Sequence, residues 1–182
     1  MFNQFHMPIL AGVAGTLLLA APAAASTQGS FGATSTGSLT INASVPGRVR
    51  ISGLNDVAFS NVDPSVNATD AQNVCVWSNT ATKGYRVTAT GSGTANAFTL
   101  ANGALTVPYS VEWSASSGQT AGAALTSGTA LTSLVSTATN VNCASGPSSS
   151  ASLIVKVGSA SLQTMSASTS YTGTLTLLVA PE

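Results

Sequence analysis

Apolar and polar residues alternate with a period of two along most of the chain, which is the pattern of half-buried β-strands. The clearest early example is the stretch 37–45, "GSLTINASV", directly followed by Pro46 and Gly47. Proline cannot donate a ladder hydrogen bond, and glycine can take unusual dihedral angles, so this pair is expected to end the strand. The apolar positions of the stretch are Leu39, Ile41, Ala43 and Val45.

Further strands are predicted wherever the alternation returns between turn residues. The loop "TATKG" at 80–84 has the length of a hairpin connection, and Asn102-Gly103 is a hairpin turn signal. Pro108 moves the start of its strand to a sheet edge or a bulge. The predicted strands cover 48–54, 73–79, 84–91, 97–100, 105–113, 151–158 and 170–182.

Residues 114–150 carry the weakest pattern, because they are rich in Ser, Thr and Gly. Their apolar anchors are Leu125, Leu131 and Leu134. A short helix is one interpretation of "ALTSLVS" at 130–136, although Ser and Thr form helices poorly. Seven or more short strands separated by turns predict an all-β fold, an immunoglobulin-like β-sandwich.

Residues 1–25 have the form of a secretory signal peptide, with an apolar run that ends in small residues before Ser26. A membrane anchor is the alternative, but the run is short for a span. The predicted organisation is a signal peptide at 1–25, an amino-terminal extension at 26–46 and one β-domain at 47–182. The chain is then exported to the cell surface or the extracellular space, with no membrane span in its mature part.

Charged residues make up only 5% of the chain and its net charge is zero, so no basic surface for nucleic acid is expected. A neutral surface also suits a protein that packs against copies of itself. Cys75 and Cys143 are the only cysteines, and in an exported protein such a pair is expected to form a disulfide. A metal site is disfavoured, and no cofactor is expected.

Catalysis is not expected, because the sequence after residue 25 has no histidine and few groups that move protons. Asp56, Asp63 and Asp70 each stand among turn residues and are interpreted as turn formers rather than as a catalytic carboxylate pair. The tryptophans and tyrosines lie within alternating stretches, which favours core packing over a sugar-binding platform. The aromatic residues concerned are Trp77, Trp113, Tyr85, Tyr109 and Tyr171.

The number of strands at the two ends of the chain is unequal. If the last predicted strand is strand F of the sandwich, no stretch after it can supply strand G, and an empty place beside F exposes core side chains and unpaired backbone groups. The amino end carries one strand more than the domain needs. The additional strand at the amino end could therefore fill the place of the missing strand G.

The order "SLTINASVPGRVRI", "VPYSVEW" and "SYTGTLTLLVAPE" resembles the major subunits of chaperone–usher fimbriae, nearest to the alternate and archaic pilins and the spore-coat-U-like domains. That resemblance implies an incomplete sandwich that is completed by a donated strand, a form of β-strand addition. Its partners are further copies of the chain, a periplasmic chaperone and an outer-membrane usher. It implies adhesion or biofilm formation as the role of the fibre.

On this resemblance Leu39, Ile41, Ala43 and Val45 of one subunit enter a groove of the next. The terminal strand lines that groove with Tyr171, Leu175, Leu177 and Val179. Two alternatives stay open: residues 38–45 fold back onto their own domain, or the chain is a monomeric secreted module that binds a glycan or a protein. A secreted hydrolase is the third and least favoured hypothesis.

Overall fold

The computed structural model describes residues 26–182, so the predicted signal peptide lies outside the described residues. The chain divides into two compact units, with the boundary between Val45 and Pro46. In the described part of the first unit, Thr27 and Ser38 pair through two backbone hydrogen bonds of 2.8 and 2.9 Å and close a loop. Residues 39–45 form no strand in this structure.

The second unit, Pro46–Glu182, contains the β-domain. Its larger sheet has five antiparallel strands in the order β1-β2-β9-β6-β7. These strands are β1 (Val49–Ser52), β2 (Ala68–Ser78), β6 (Ser110–Ser114), β7 (Ala123–Ala124) and β9 (Ala151–Val157).

A three-stranded sheet packs against the first in the order β10-β3-β8, and β4 and β5 form a separate two-stranded sheet. One short helix, α1 (Ser159–Leu162), and a 3-10 turn at Thr94–Asn96 complete the elements. The strands are β3 (Gly84–Gly91), β4 (Thr99–Asn102), β5 (Leu105–Pro108), β8 (Ala130–Val135) and β10 (Leu175–Pro181).

The core lies between the two main sheets and is built from the inward residues of β2, β3, β6 and β9. Tyr85 of β3 and Trp113 of β6 meet there edge to face, with ring centroids 6.4 Å apart. The indole N–H of Trp113 donates a hydrogen bond to the Tyr85 hydroxyl at 3.1 Å, which satisfies both buried polar groups. Burial raises the pKa of Tyr85. Core packing, as the alternation predicted, is the role of both rings and of the buried Tyr109.

The sheet order is that of an immunoglobulin-like sandwich. Strands A, B, E and D of that fold correspond to β1, β2, β9 and β6, while C and F correspond to β3 and β10. The all-β sandwich predicted from the sequence is therefore confirmed. Within Pro46–Glu182, no strand stands in the place of strand G, next to β10.

Several local predictions from the sequence were wrong. The stretch at 80–84 is no hairpin: β2 and β3 belong to different sheets, and the chain crosses between them through Lys83, whose φ is 55°. The short helix weighed at 130–136 is instead strand β8, which turns Leu131 and Leu134 towards the core. Asp70 lies within β2, opposite Val155, and not in a turn.

The stretch 105–113 also differs from its prediction as one strand. It breaks after Pro108 into β5, which pairs with β4, and β6, which pairs with β9. Proline has no N–H to donate to a ladder, so the chain changes sheets at this residue. The β4–β5 turn lies one residue later than predicted, because Asn102 pairs with Leu105.

The disulfide joins Cys75 to Cys143, the pairing that the sequence favoured. It ties the segment after β8 to the carboxyl half of β2, where β9 no longer pairs with β2. Hydroxyls replace the missing strand there: Ser150 Oγ accepts from the Val76 N–H at 2.8 Å and donates to the Val76 carbonyl at 2.8 Å. Ser136 Oγ donates to the same carbonyl.

We predict that the variant Cys75→Ala/Cys143→Ala loses about 4 kcal/mol of unfolding free energy, because the disulfide spans 68 residues and restricts the unfolded chain. Urea unfolding of Pro46–Glu182 measures this, with the reduced wild-type protein as the comparison. A loss below about 1 kcal/mol would contradict the assignment of the disulfide as the main constraint on the unfolded state.

Candidate functional site

An open groove of about 1070 Å³, lined by apolar side chains together with hydroxyl and amide groups, lies beside β10 in the second unit. Two irregular stretches contribute to its walls, residues 54–62 after β1 and residues 165–174 before β10. Leu175 and Leu177 of β10 continue the second wall. The groove therefore occupies the region where strand G of a complete sandwich would lie.

Buried core residues form the base of this groove. Leu153, Val155 and Val157 of β9 contribute their inward side chains, and Tyr109 and Leu162 add to the apolar surface. Each of these residues is less than 10% exposed, so the groove reaches the hydrophobic core itself. An apolar side chain that entered it would join that core.

The backbone of β10 has one paired edge and one open edge. The Glu182 N–H donates to the Gly84 carbonyl at 3.1 Å, and the β10–β3 register continues this pairing in steps of two residues. In an antiparallel ladder, alternate residues direct their N–H and C=O to the same neighbour. Thr176, Leu178 and Ala180 therefore bond to β3, whereas Leu175, Leu177 and Val179 direct their backbone groups to the open edge.

The opposite wall also has a backbone without partners. Asn55 is held by Gln72, whose side chain accepts from the Asn55 N–H at 2.8 Å and donates to its carbonyl at 3.1 Å. From residue 56 to residue 62, no backbone group has a hydrogen-bond partner among residues 26–182. Val57, Phe59 and Val62 nevertheless pack against the core. The groove thus lies between two extended backbones with free hydrogen-bonding groups.

The first unit carries an exposed apolar stripe at 39–45. The exposed fractions are 70% for Leu39, 84% for Ile41 and 81% for Val45. Ser, Thr and Asn occupy the alternate positions, so an extended conformation would place the apolar side chains on one face and the polar ones on the other.

The structure places the predicted groove residues as follows. Leu175, Leu177 and Val179 share the inward face of β10 and are half-buried against the core. Tyr171 lies before β10 and not within it, but its side chain lines the groove, and its hydroxyl accepts from the Ser166 N–H at 3.2 Å. That hydrogen bond lowers the pKa of Tyr171.

Pro46 and Gly47 lie at the start of the domain, beside the carboxyl end of β10. Asn79 Nδ2 donates to the Pro46 carbonyl at 2.9 Å, and a Cβ on Gly47 would stand 3.5 Å from Pro181. Gly47 does not have a positive φ, so it does not use the conformational freedom that the sequence suggested. The Asn79 contact therefore fixes the position of Pro46 at the start of the domain.

Sequence reasoning missed most of the base and one complete wall of the groove. The alternation of Val57 and Phe59 was the available signal for the wall at 54–62, but Asn and Asp around it suggested turns. Leu153, Val155 and Val157 were recognised as strand residues, with no indication that they reach an open surface. Met165 and Leu162 follow a weak pattern and gave no signal.

The groove can bind an extended apolar segment, and its chemistry offers little else. Among residues 26–182, no three His, Cys, Asp or Glu side chains come together as a metal site. Asp56 lines the groove, and Asp63 accepts from the Ser65 N–H at 2.8 Å, a hydrogen bond that holds the pKa of the carboxyl below its usual value. In the same part of the chain, no helix is long and apolar enough to cross a membrane.

Comparisons with known proteins include a distant structural match. No protein-family model matches the chain, and no curated protein matches it. A solved chain from a study of a chaperone–tip adhesin complex in CFA/I fimbriae biogenesis matches with a TM-score of 0.45 and 14% sequence identity. The match covers 74% of this chain and 41% of that one, so this chain spans less than half of the matched chain's length. A similarity of this extent does not by itself establish a function.

We predict that the amides of Leu177 and Val179 exchange with solvent at least about tenfold faster than those of Leu178 and Ala180, because only the latter pair with β3. Hydrogen exchange by NMR on the second unit, Pro46–Glu182, resolves these residues. The amides of Val87 and Ala89, in the centre of the same sheet, serve as the protected reference. Equal protection of all four β10 amides would mean that the open edge has a partner.

Proposed function

We propose that this protein is a structural subunit of a bacterial surface fibre and that it polymerises by strand donation. Residues 39–45 of one copy enter the groove beside β10 of the next copy and complete its sandwich. The observation that carries this proposal is the groove itself, which is open to the core and bordered by a strand with a free edge.

The donated segment and the groove correspond in length and pattern. Residues 39–45 and the strand Leu175–Pro181 each have seven residues, so the proposed pairing extends along the full length of both. The segment offers an apolar side chain at every second position, as a strand requires when one of its faces is buried. Its intervening Thr40, Asn42 and Ser44 suit the solvent face.

The energetic gain is large enough to hold copies together without covalent links. Burial of a large aliphatic side chain contributes about 1.5–3 kcal/mol, and the segment has three such side chains, those of Leu39, Ile41 and Val45. Backbone pairing to the open edge of β10 adds about 1 kcal/mol per hydrogen bond. The ordering of an extended segment reduces this gain.

An open groove is a hazard before assembly, because it leaves a strand edge free to pair with another chain. We therefore infer that a periplasmic chaperone occupies the groove by lending a strand and that an outer-membrane usher exchanges it for the next subunit. Export through the periplasm agrees with the disulfide, which forms in oxidising compartments. The fibre then serves adhesion or biofilm formation, and the subunit acts without catalysis.

We predict that Ile41→Asp abolishes fibre formation by residues 26–182. A carboxylate in the apolar groove costs several kcal/mol, which weakens association by at least about a hundredfold. Thr40→Asp is the matched control, since it adds the same charge to the opposite face of the same segment. Electron microscopy and size-exclusion chromatography are expected to show fibres for the wild type and the control, and monomers for Ile41→Asp.

Two outcomes would contradict the proposal. If both variants polymerise like the wild type, residues 39–45 are not the donated strand. If the wild type remains monomeric at high concentration, the chain is better described as a secreted module that binds another protein or a glycan.

A further inference from the structure

The charged residues of the domain are segregated towards its two ends. The chain has five cations and five anions, all of them within residues 26–182. In these residues only one ion pair forms, between Lys156 Nζ and Glu112 Oε1 at 2.6 Å on the outer face of the five-stranded sheet. The remaining eight charged side chains have no partner of opposite charge within 4 Å.

Four of the cations lie at one end, here called the basic end: Arg48, Arg50, Lys83 and Arg86. Arg50 stands opposite Trp77, near the end of β2, and the Arg48 N–H bonds to Asn79 just beyond it. Lys83 lies in the crossing between β2 and β3, and Arg86 stands opposite Ala180 near the end of β10. All four are exposed.

Three anions lie in the opposite half, here called the acidic end: Asp56, Asp63 and Asp70. Asp70 stands two residues after the start of β2, and Asp63 lies before that start. Asp56 follows Asn55, which Gln72 of β2 holds, and lines the groove. The start of β2, the end of β3 and the start of β10 lie at the same end of an aligned sandwich, so Leu175 belongs to the acidic end.

The two ends carry equal and opposite charge. Four cations and one anion, Glu182, give the basic end a charge of +3, because 4 − 1 = 3. Asp56, Asp63 and Asp70 give the acidic end −3. Charges of one sign that are grouped without local partners repel one another, whereas a complementary surface on another molecule relieves that repulsion.

We propose that the basic end of one copy contacts the acidic end of the next copy and that this contact steers fibre growth. The inference rests on the proposed function, because strand donation brings the two ends together. Arg48 and Arg50 follow Val45 by three and five residues, so Arg48 lies within about 10 Å of the point where the donated strand ends. A strand that runs antiparallel to β10 places that point near Leu175, at the acidic end.

The opposite direction of insertion is disfavoured by the same charges. A donated strand parallel to β10 would end beside Pro181, and Arg48 and Arg50 would then approach Lys83 and Arg86 of the accepting copy. Like charges at an interface cost free energy and slow the encounter. The charged ends therefore select one direction of insertion and a head-to-tail arrangement of copies.

The test measures fibre growth of residues 26–182 by light scattering, with charges reversed at one end or at both. Arg48→Glu/Arg50→Glu reverses the basic end, Asp63→Lys/Asp70→Lys reverses the acidic end without touching the groove lining, and the fourfold variant reverses both. Glu112→Lys/Lys156→Glu is the control, since it exchanges the charges of the local pair. Growth is compared in about 20 mM and about 500 mM NaCl, where screening differs strongly.

We expect each single-end reversal to slow growth at low salt about tenfold or more, because steering raises association rates by factors of that order. The fourfold variant is expected to grow faster than either single-end variant, since its ends again carry opposite charges, −1 and +1, because 3 − 4 = −1 and −3 + 4 = +1. High salt is expected to bring all variants to a similar rate. Equal slowing in the fourfold variant, or no slowing in either single-end variant, would overturn the inference.

A peptide of residues 37–46 separates this inference from the proposed function, because it carries no charged side chain. If the peptide arrests wild-type growth by filling the groove while charge reversal has no effect, strand donation stands and only the charge contact is wrong. If the peptide does not arrest growth, the proposed function fails as well.

A second set of variants covers the case in which a reversed chain does not fold. Asp63→Asn/Asp70→Asn and Arg48→Gln/Arg50→Gln remove charge without reversing it, and Asp63→Asn keeps a side-chain oxygen for the Ser65 N–H. These chains are expected to grow at a rate that depends on salt less steeply than the wild-type rate, because each keeps only one net charge at the altered end. Retention of the wild-type salt dependence in both would overturn the inference.

Discussion

The backbone of a strand needs hydrogen-bond partners on both edges or exposure to water, and β10 has partners on one edge only. On its other side stands an open groove whose base is the hydrophobic core. The wall at 54–62 meets the same constraint, since its side chains pack inward while its backbone groups from 56 to 62 have no partners within the described chain. An added strand would supply hydrogen-bond partners to the backbones of both walls at once. The exposed apolar stripe at 39–45 has the pattern that such a strand requires.

The rest of the domain keeps this groove in shape while it is empty. The Tyr85–Trp113 contact joins the two sheets through a buried hydrogen bond and an edge-to-face ring contact. Beyond Val74, β9 no longer pairs with β2 and one edge of β2 is left open. The disulfide and the hydroxyls of Ser136 and Ser150 cover that edge. These contacts lie outside the groove lining, so they hold the two sheets together whether or not a strand occupies the groove.

The sequence predicted the sandwich because alternation reports burial on one face, and this signal was strong in β2, β3, β9 and β10. It could not tell which strands share a sheet: the five-residue connection at 79–83 has the length of a hairpin, yet it crosses between sheets. Strand β8 was obscured by Ser and Thr, which are poor in helices but compatible with an edge strand. The groove wall at 54–62 was invisible for another reason, since a stretch without ladder partners has no strand signal beyond the alternation of Val57 and Phe59.

Strand donation is tested most simply by the thermal unfolding of Pro46–Glu182 in three samples. These are the domain alone, the domain with a peptide of residues 37–46, and the domain with the same peptide carrying Ile41→Asp. A ligand at a hundred times its dissociation constant stabilises a protein by about 2.7 kcal/mol, which shifts the midpoint of a domain of this size by several degrees. Strand donation predicts such a shift with the natural peptide and none with the altered one. A domain that is stable alone and indifferent to both peptides would show that the groove does not accept this strand.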